Sequence, residues 1–330
     1  MVKTRIIAAL LVAALVVVSA AVLITASPAR TGPISMQDKY IMAFHSCDNS
    51  KYDCSNWVNH VTYLAESNDG ASWSVVQGFA PYNGSVPDAI RRGNTVYLYN
   101  PGTLVKFFLN NGTETRAVHV HMTFANGTIT TFVDPSVYLD SSGTLHLFFP
   151  LGYFPWQNGN PANCPTGVSS CTVYIYSATE VPGSDGSSFV VDPGYRVGHA
   201  VSNGGSFSDP SVFKGPGGYY LYVSVGASVL AYESPTLNGD YTPVQGLQDA
   251  VLVPQGIGGT PAGFYDNATQ SFWTYVSQNG NGQKVARAVT SGLGGPIPAS
   301  QFTVVLSGCA IQGMGCAYMV ESPAVHLNTP

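Results

Sequence analysis

Three aspartates, Asp88, Asp134 and Asp209, stand beside prolines in similar local sequence, as Val86-Pro87-Asp88, Asp134-Pro135-Ser136 and Asp209-Pro210-Ser211. With the prolines aligned, Asp134 and Asp209 share one position with Val86, Thr260 and Ser322. Asp88 shares the next position but one with Ser136, Ser211, Ala262 and Ala324. Residues two apart on a strand point to one face, so the three carboxylates are expected to converge from consecutive repeats. Carboxylates held together resist simultaneous ionisation, and their pKa values move apart, as acid–base chemistry at a glycosidic bond requires. Taken singly, each also fits a strand-capping role, with its oxygens accepting backbone N–H groups.

The elements that must position them form an internal repeat. A short strand opened by proline leads through a tight turn into an aromatic strand: Val133 to Leu139 before Thr144 to Phe149, and Ser208 to Lys214 before Tyr219 to Val223. Val86 to Ile90 before Val96 to Tyr99, and Thr260 to Phe264 before Ser271 to Tyr275, repeat the pattern. A fifth copy, Ser322 to Leu327, has no following strand, whereas Lys39 to His45 is an aromatic strand with none before it. Joining the two predicts an all-β, five-bladed β-propeller over residues 36–330, closed by the C-terminal strand joining the N-terminal blade. In that arrangement the loops around the five prolines ring one end of the central axis.

Lys3 and Arg5 precede an apolar run from Ile6 to Ile24, which makes residues 1–26 a signal peptide or an uncleaved signal anchor, followed by a linker over 27–35. The rest is expected outside the cytoplasm, secreted or anchored by residues 6–24. Six cysteines fall as Cys47/Cys54, Cys164/Cys171 and Cys309/Cys316, each pair seven apart, which points to three local disulfides rather than a zinc site. The strand order predicts that the three stapled loops wall the axial opening; stabilising an extracellular chain is the other use such bridges have. Sequons at Asn83, Asn111, Asn126 and Asn267 agree with export. Charged residues make up only 9% of the 330 residues, against about 25% in an average soluble domain, the net charge is −5, and the longest basic cluster is Arg91-Arg92. Nucleic acid is therefore excluded as a partner.

Further candidates lie near the expected axial opening. Tyr153, Phe154 and Trp156 could stack on sugar rings; His45 and His199 lie by the same rim, and Arg91 could pair with an axial carboxylate. A histidine in such a place is more often a structural hydrogen-bonding residue than a ligand. His119 and His121 alternate on a strand as a metal pair would, yet nothing nearby completes a site. No cofactor is expected, although an axial metal ion is compatible with the architecture. Ser67 to Trp73 is similar to the Asp-box turn of sialidases, in which Asp69 would serve the turn rather than chemistry.

The segments Val86–Tyr99, Phe132–Phe149 and Phe207–Val223 resemble the first three blades of the five-bladed arabinanase/β-xylosidase group of glycoside hydrolases. That resemblance implies an extracellular glycosidase acting on an oligo- or polysaccharide, with Asp88 as general base, Asp134 as the residue that orients and tunes, and Asp209 as general acid. Two positions depart from the group's pattern: Val86 stands where the first Asp is usual, and Ser208 where the third-blade Glu is usual. A non-catalytic glycan-binding or cell-surface propeller is the alternative.

Overall fold

The computed structural model describes residues 33–151, 162–164, 167–278 and 283–329. The N-terminal apolar segment lies outside them, as do Tyr153, Phe154 and Trp156. Among the described residues no helix is long and apolar enough to cross a membrane.

The described residues form an all-β propeller of five sheets, antiparallel except where His121–Thr123 pairs parallel with Ser188–Val191 in the third. Their innermost strands are Tyr318–Leu327, Asp88–Arg92, Ser136–Leu139, Ser208–Gly215 and Gly259–Asp266, taken from the first sheet to the fifth. Each packs against the next, and the fifth packs against the first, so they form a closed ring. As the split repeat requires, the C-terminal strand pairs antiparallel with Tyr40–Asp48, with Tyr40 opposite Leu327 and Asp48 opposite Tyr318. The second strands, such as Tyr40–Asp48 and Leu145–Leu151, are buried along their whole length. They read as continuous apolar runs because neighbouring sheets cover both faces. Large aromatics fill the seams: Tyr40 meets Phe264 and Trp273 edge-on, and Phe213 meets Phe272.

The repeat's proline marks a sharp corner. The residue before each one, Val86, Asp134, Asp209, Thr260 or Ser322, has a φ between 43° and 50°. L-residues avoid that region, β-branched ones most of all, and a following proline disfavours it further. Each such corner costs on the order of 1–3 kcal/mol. In the first, fourth and fifth sheets it is also a bulge: Glu321 to Ala324 spans three steps opposite the two from His45 to Ala43, and the fourth and fifth sheets repeat this.

Side chains of one sheet hold the corner of the next. The Val137 N–H donates to Asp88 Oδ2 (2.8 Å), Val212 N–H to Ser136 Oγ (3.0 Å) and Gly263 N–H to Ser211 Oγ (3.0 Å). Ala262 and Ala324 occupy the same position in the other two sheets and offer no acceptor. There a second-strand residue takes over: Ser322 N–H donates to Ser277 Oγ (3.0 Å) and Val86 N–H to His45 Nδ1 (3.1 Å). All five seams are thereby bridged in the same rotational sense, and the fourth-to-fifth seam twice, through Thr260 N–H to Ser224 Oγ (3.1 Å).

The six cysteines form the three local bridges that their spacing predicts: Cys47–Cys54, Cys164–Cys171 and Cys309–Cys316. Among the described residues no cysteine is left free. Asp69 accepts from the Ala71 and Ser72 N–H groups, while Trp73 Nε1 donates back to the Gly70 carbonyl, so this aspartate builds a turn. Those amides, Ser72's foremost, hold its pKa down to about 2.

The bonds that bridge the seams should be measurable in urea unfolding. Ser136→Ala or Ser211→Ala is expected to cost about 1 kcal/mol each. Asp88→Ala, which strands a buried N–H and a histidine together, should cost about 3–5 kcal/mol. A loss below about 0.5 kcal/mol for Asp88→Ala would contradict a seam-holding role.

Candidate functional site

The prolines and the residues flanking them line an axial cavity of about 20 Å³ that includes Val86, Asp88, Asp209, Thr260 and Ser322. This is room for about one water molecule. The axis itself is therefore too narrow for a sugar ring, and a larger ligand can meet these residues only at the mouth.

Asp88 lines this cavity with its carboxylate already engaged. Oδ1 accepts from the Ala89 N–H (2.6 Å) and faces His326 Nε2 (2.8 Å), while Oδ2 accepts from Val137. Only 3% of the residue is exposed. A base needs a free lone pair aimed at a proton, and these oxygens are aimed at the seam.

Asp134 and Asp209 stand together in a different environment. Asp134 is buried, and burial pushes its pKa well above the carboxylate range; the Asp209 charge adds to this, while the Asp209 backbone N–H opposes it. Burial also pushes Asp209 up to about 6. The Ser208 hydroxyl, which donates to Asp209 Oδ2 at 2.7 Å, and His45 restrain that rise, and Glu321 adds to it. Ser208 thus serves as a hydrogen-bond donor to the neighbouring acid.

His45 is buried, with Nδ1 occupied by the Val86 N–H, so its proton is assigned to Nε2. Nε2 lies 3.4 Å from Glu321 Oε2 and has no aligned hydrogen-bond partner. Behind it His60 stacks parallel, ring centroids 4.2 Å apart. His60 is held by the Cys54 carbonyl at Nε2 and the Ser85 hydroxyl at Nδ1. The first disulfide loop is in this way tied to the mouth. Glu321 was missed in the aspartate alignment, yet it has a signal: it lies two residues before its proline, where the other copies carry Ser85, Val133, Ser208 and Gly259.

The cysteines themselves stand back from the axis. None of the six cysteines lines the small axial cavity. Cys171 lies half-buried in the strand Ser170–Glu180, opposite Val201, and packs with buried Cys164 into the core of the third and fourth sheets. Cys309 and Cys316 are both exposed, in the loop that leads to the C-terminal strand. A local bridge restricts the unfolded chain wherever it sits, so each of the three stabilises the fold.

The remaining candidates are dispersed. Arg91 pairs with no axial carboxylate; its Nε donates to the Gly93 carbonyl and its Nη1 to Asn328 Oδ1, because its strand has passed to the far end of the axis. His199 sits in a cleft on the flank between the third and fourth sheets, stacked on Phe207, with burial lowering its pKa. His119 and His121 are exposed. Among the described residues no three His, Cys, Asp or Glu side chains are grouped to hold a metal ion.

No family model and no curated protein matches the sequence. Solved structures do match. An endo-1,4-β-xylanase from Bacteroides thetaiotaomicron shares 15% identity over 84% of this chain and 96% of its own, with a TM-score of 0.48. The GH43_1 enzyme from Xanthomonas citri complexed with xylotriose shares 16% over 76% and 81%, with a TM-score of 0.45. An endo-1,5-α-L-arabinanase from Thermotoga petrophila shares 13% over 64% and 53%, with a TM-score of 0.42. At such identities the likeness is one of fold.

A raised carboxyl pKa has a defined thermal consequence. Unfolded aspartate titrates near 3.8 and Asp209 near 6. Between these values the folded chain holds the extra proton, so stability falls as pH rises through that interval and stays lowered above it. Asp209→Asn is therefore expected to raise the melting temperature at pH 8, on the order of 2–4 °C, and to leave it unchanged at pH 4. Equal shifts at both pH values would contradict the assignment.

Proposed function

We propose that the five sheets are the blades of a five-bladed, extracytoplasmic glycoside hydrolase whose working groups sit at the mouth of the axis. The observation that carries this reading is Asp209, a carboxyl pushed up to about 6 that feels both His45 and Glu321, with Glu321 Oε2 3.4 Å from His45 Nε2. Asp209, still protonated in mildly acid solution, is the proton donor to the glycosidic oxygen. Glu321, held near His45 Nε2–H, is the base that activates water. Asp134, kept from ionising by burial and by the Asp209 charge, stands behind Asp209, and Asp88 keeps the second and third blades in register. These roles differ from the motif-based assignment of Asp88 as base, and the saturation of its carboxylate supports the change.

A second reading, a glycan-binding propeller without catalysis, is favoured by the narrow axis and by Val86 and Ser208 at two positions where the resembling hydrolases carry acids. Aryl β-xylosides and aryl α-L-arabinofuranosides, with xylo- and arabino-oligosaccharides for binding, separate the two. Hydrolysis near pH 5.5 should fall 10²–10⁴-fold in kcat for Asp209→Asn and for Glu321→Gln, with KM little changed. Activity retained in both variants would overturn the assignment; saturable oligosaccharide binding without hydrolysis by the unmodified protein would select the second reading.

A further inference from the structure

At the end of the axis away from the mouth, the five inner strands open into a separate pocket of about 280 Å³. Its ring is built from the third residue after each proline: Ile90, Tyr138, Phe213, Phe264 and His326. The hydrogen bond from His326 Nε2 to Asp88 forms the partition between this pocket and the upper cavity, since His326 lines one and Asp88 the other. Phe213 leans so far toward the neighbouring inner strand that a Cβ on Gly263 would collide with its ring.

The polar groups of the pocket are one-sided. In a chain with 18 acids and 13 Lys and Arg, two cations, Arg91 and Lys214, line it and no Asp or Glu does. Lys214 lies 5.9 Å over the Tyr219 ring and has no carboxylate within ion-pair distance among the described residues. Arg91 spends Nε and Nη1 on Gly93 and Asn328, which fixes the guanidinium while leaving Nη2 without a described partner. An aromatic and aliphatic wall, an immobilised guanidinium and an unpaired ammonium together recognise a flat apolar body that ends in one negative charge.

We propose that this lower pocket binds a small organic monocarboxylate with an aromatic or similarly flat apolar body. The site is independent of the mouth and of any hydrolytic activity there. The test is calorimetric titration of the full, disulfide-bonded protein, made in a host that adds no glycan at Asn267 on the rim, with 2-naphthoate and its uncharged isostere 2-naphthamide. Saturable one-to-one binding is expected, at least tenfold tighter for the acid than for the amide. Lys214→Ala, at an exposed position that does not endanger folding, should remove most of that preference and leave the amide unaffected. No saturable binding of the acid, equal affinity for acid and amide, or a preference unchanged in Lys214→Ala would each overturn the proposal.

Discussion

The structure depends on a corner that the polypeptide resists making. Five times, a non-glycine residue before a proline is held at a positive φ, and five times a side chain from the preceding sheet reaches across to a backbone N–H at or just beyond that corner. A closed ring of twisted sheets has no edge on which to relieve misfit, so the corner and its bridge must be satisfied together at every seam. The pattern shares the task between two positions. Where the residue after proline is alanine, as at Ala262 and Ala324, the second strand supplies the acceptor from Ser277 or His45. In the second and third sheets, where extending the strand register puts Pro101 and Pro150 opposite, Asp88 and Ser136 supply it.

This division explains why aspartates in such similar local sequence act differently. The residue after proline faces the seam, so Asp88 joins a hydrogen-bonded bridge and is saturated by it. The residue before proline sits on the corner, so Asp134 and Asp209 are brought close to one another, short of water and with few donors. Burial then raises both, and Asp209 is left titrating near 6. The same inner strands, followed three residues further, turn their aromatics into the pocket at the opposite end. One repeat thus places seam-holding, acid and apolar groups at three successive depths along the axis.

Much of the architecture was legible in the sequence because it repeats. The proline-opened strand, the aromatic strand after it and the orphan halves at the two ends fix the ring and its closure, and equal cysteine spacing marks the three disulfides. The composition of the mouth was legible in part. Asp134 and Asp209 stand where the aligned prolines put them, but the two-residue strand period counts Asp88, one position beyond its proline, on the same face as them. The strand face to which a side chain points near a bulge depends on a backbone corner that composition does not reveal. Glu321 escaped for a related reason: it comes from the fifth copy, and its neighbour His45 comes from the opposite end of the chain, 276 positions away. Only closure of the ring puts them 3.4 Å apart. Arg91 illustrates the converse, since its sequence neighbour is axial while its own side chain belongs to the lower pocket.

Burial at the mouth raises Asp209 into the working range, and carboxyl-carbon NMR titration measures that shift. With aspartate side-chain carbons labelled, one resonance should titrate near pH 6 and vanish in Asp209→Asn while persisting in Asp88→Asn. Titration of every aspartate below pH 5, or a resonance near 6 lost with Asp88 and retained without Asp209, would contradict a raised Asp209.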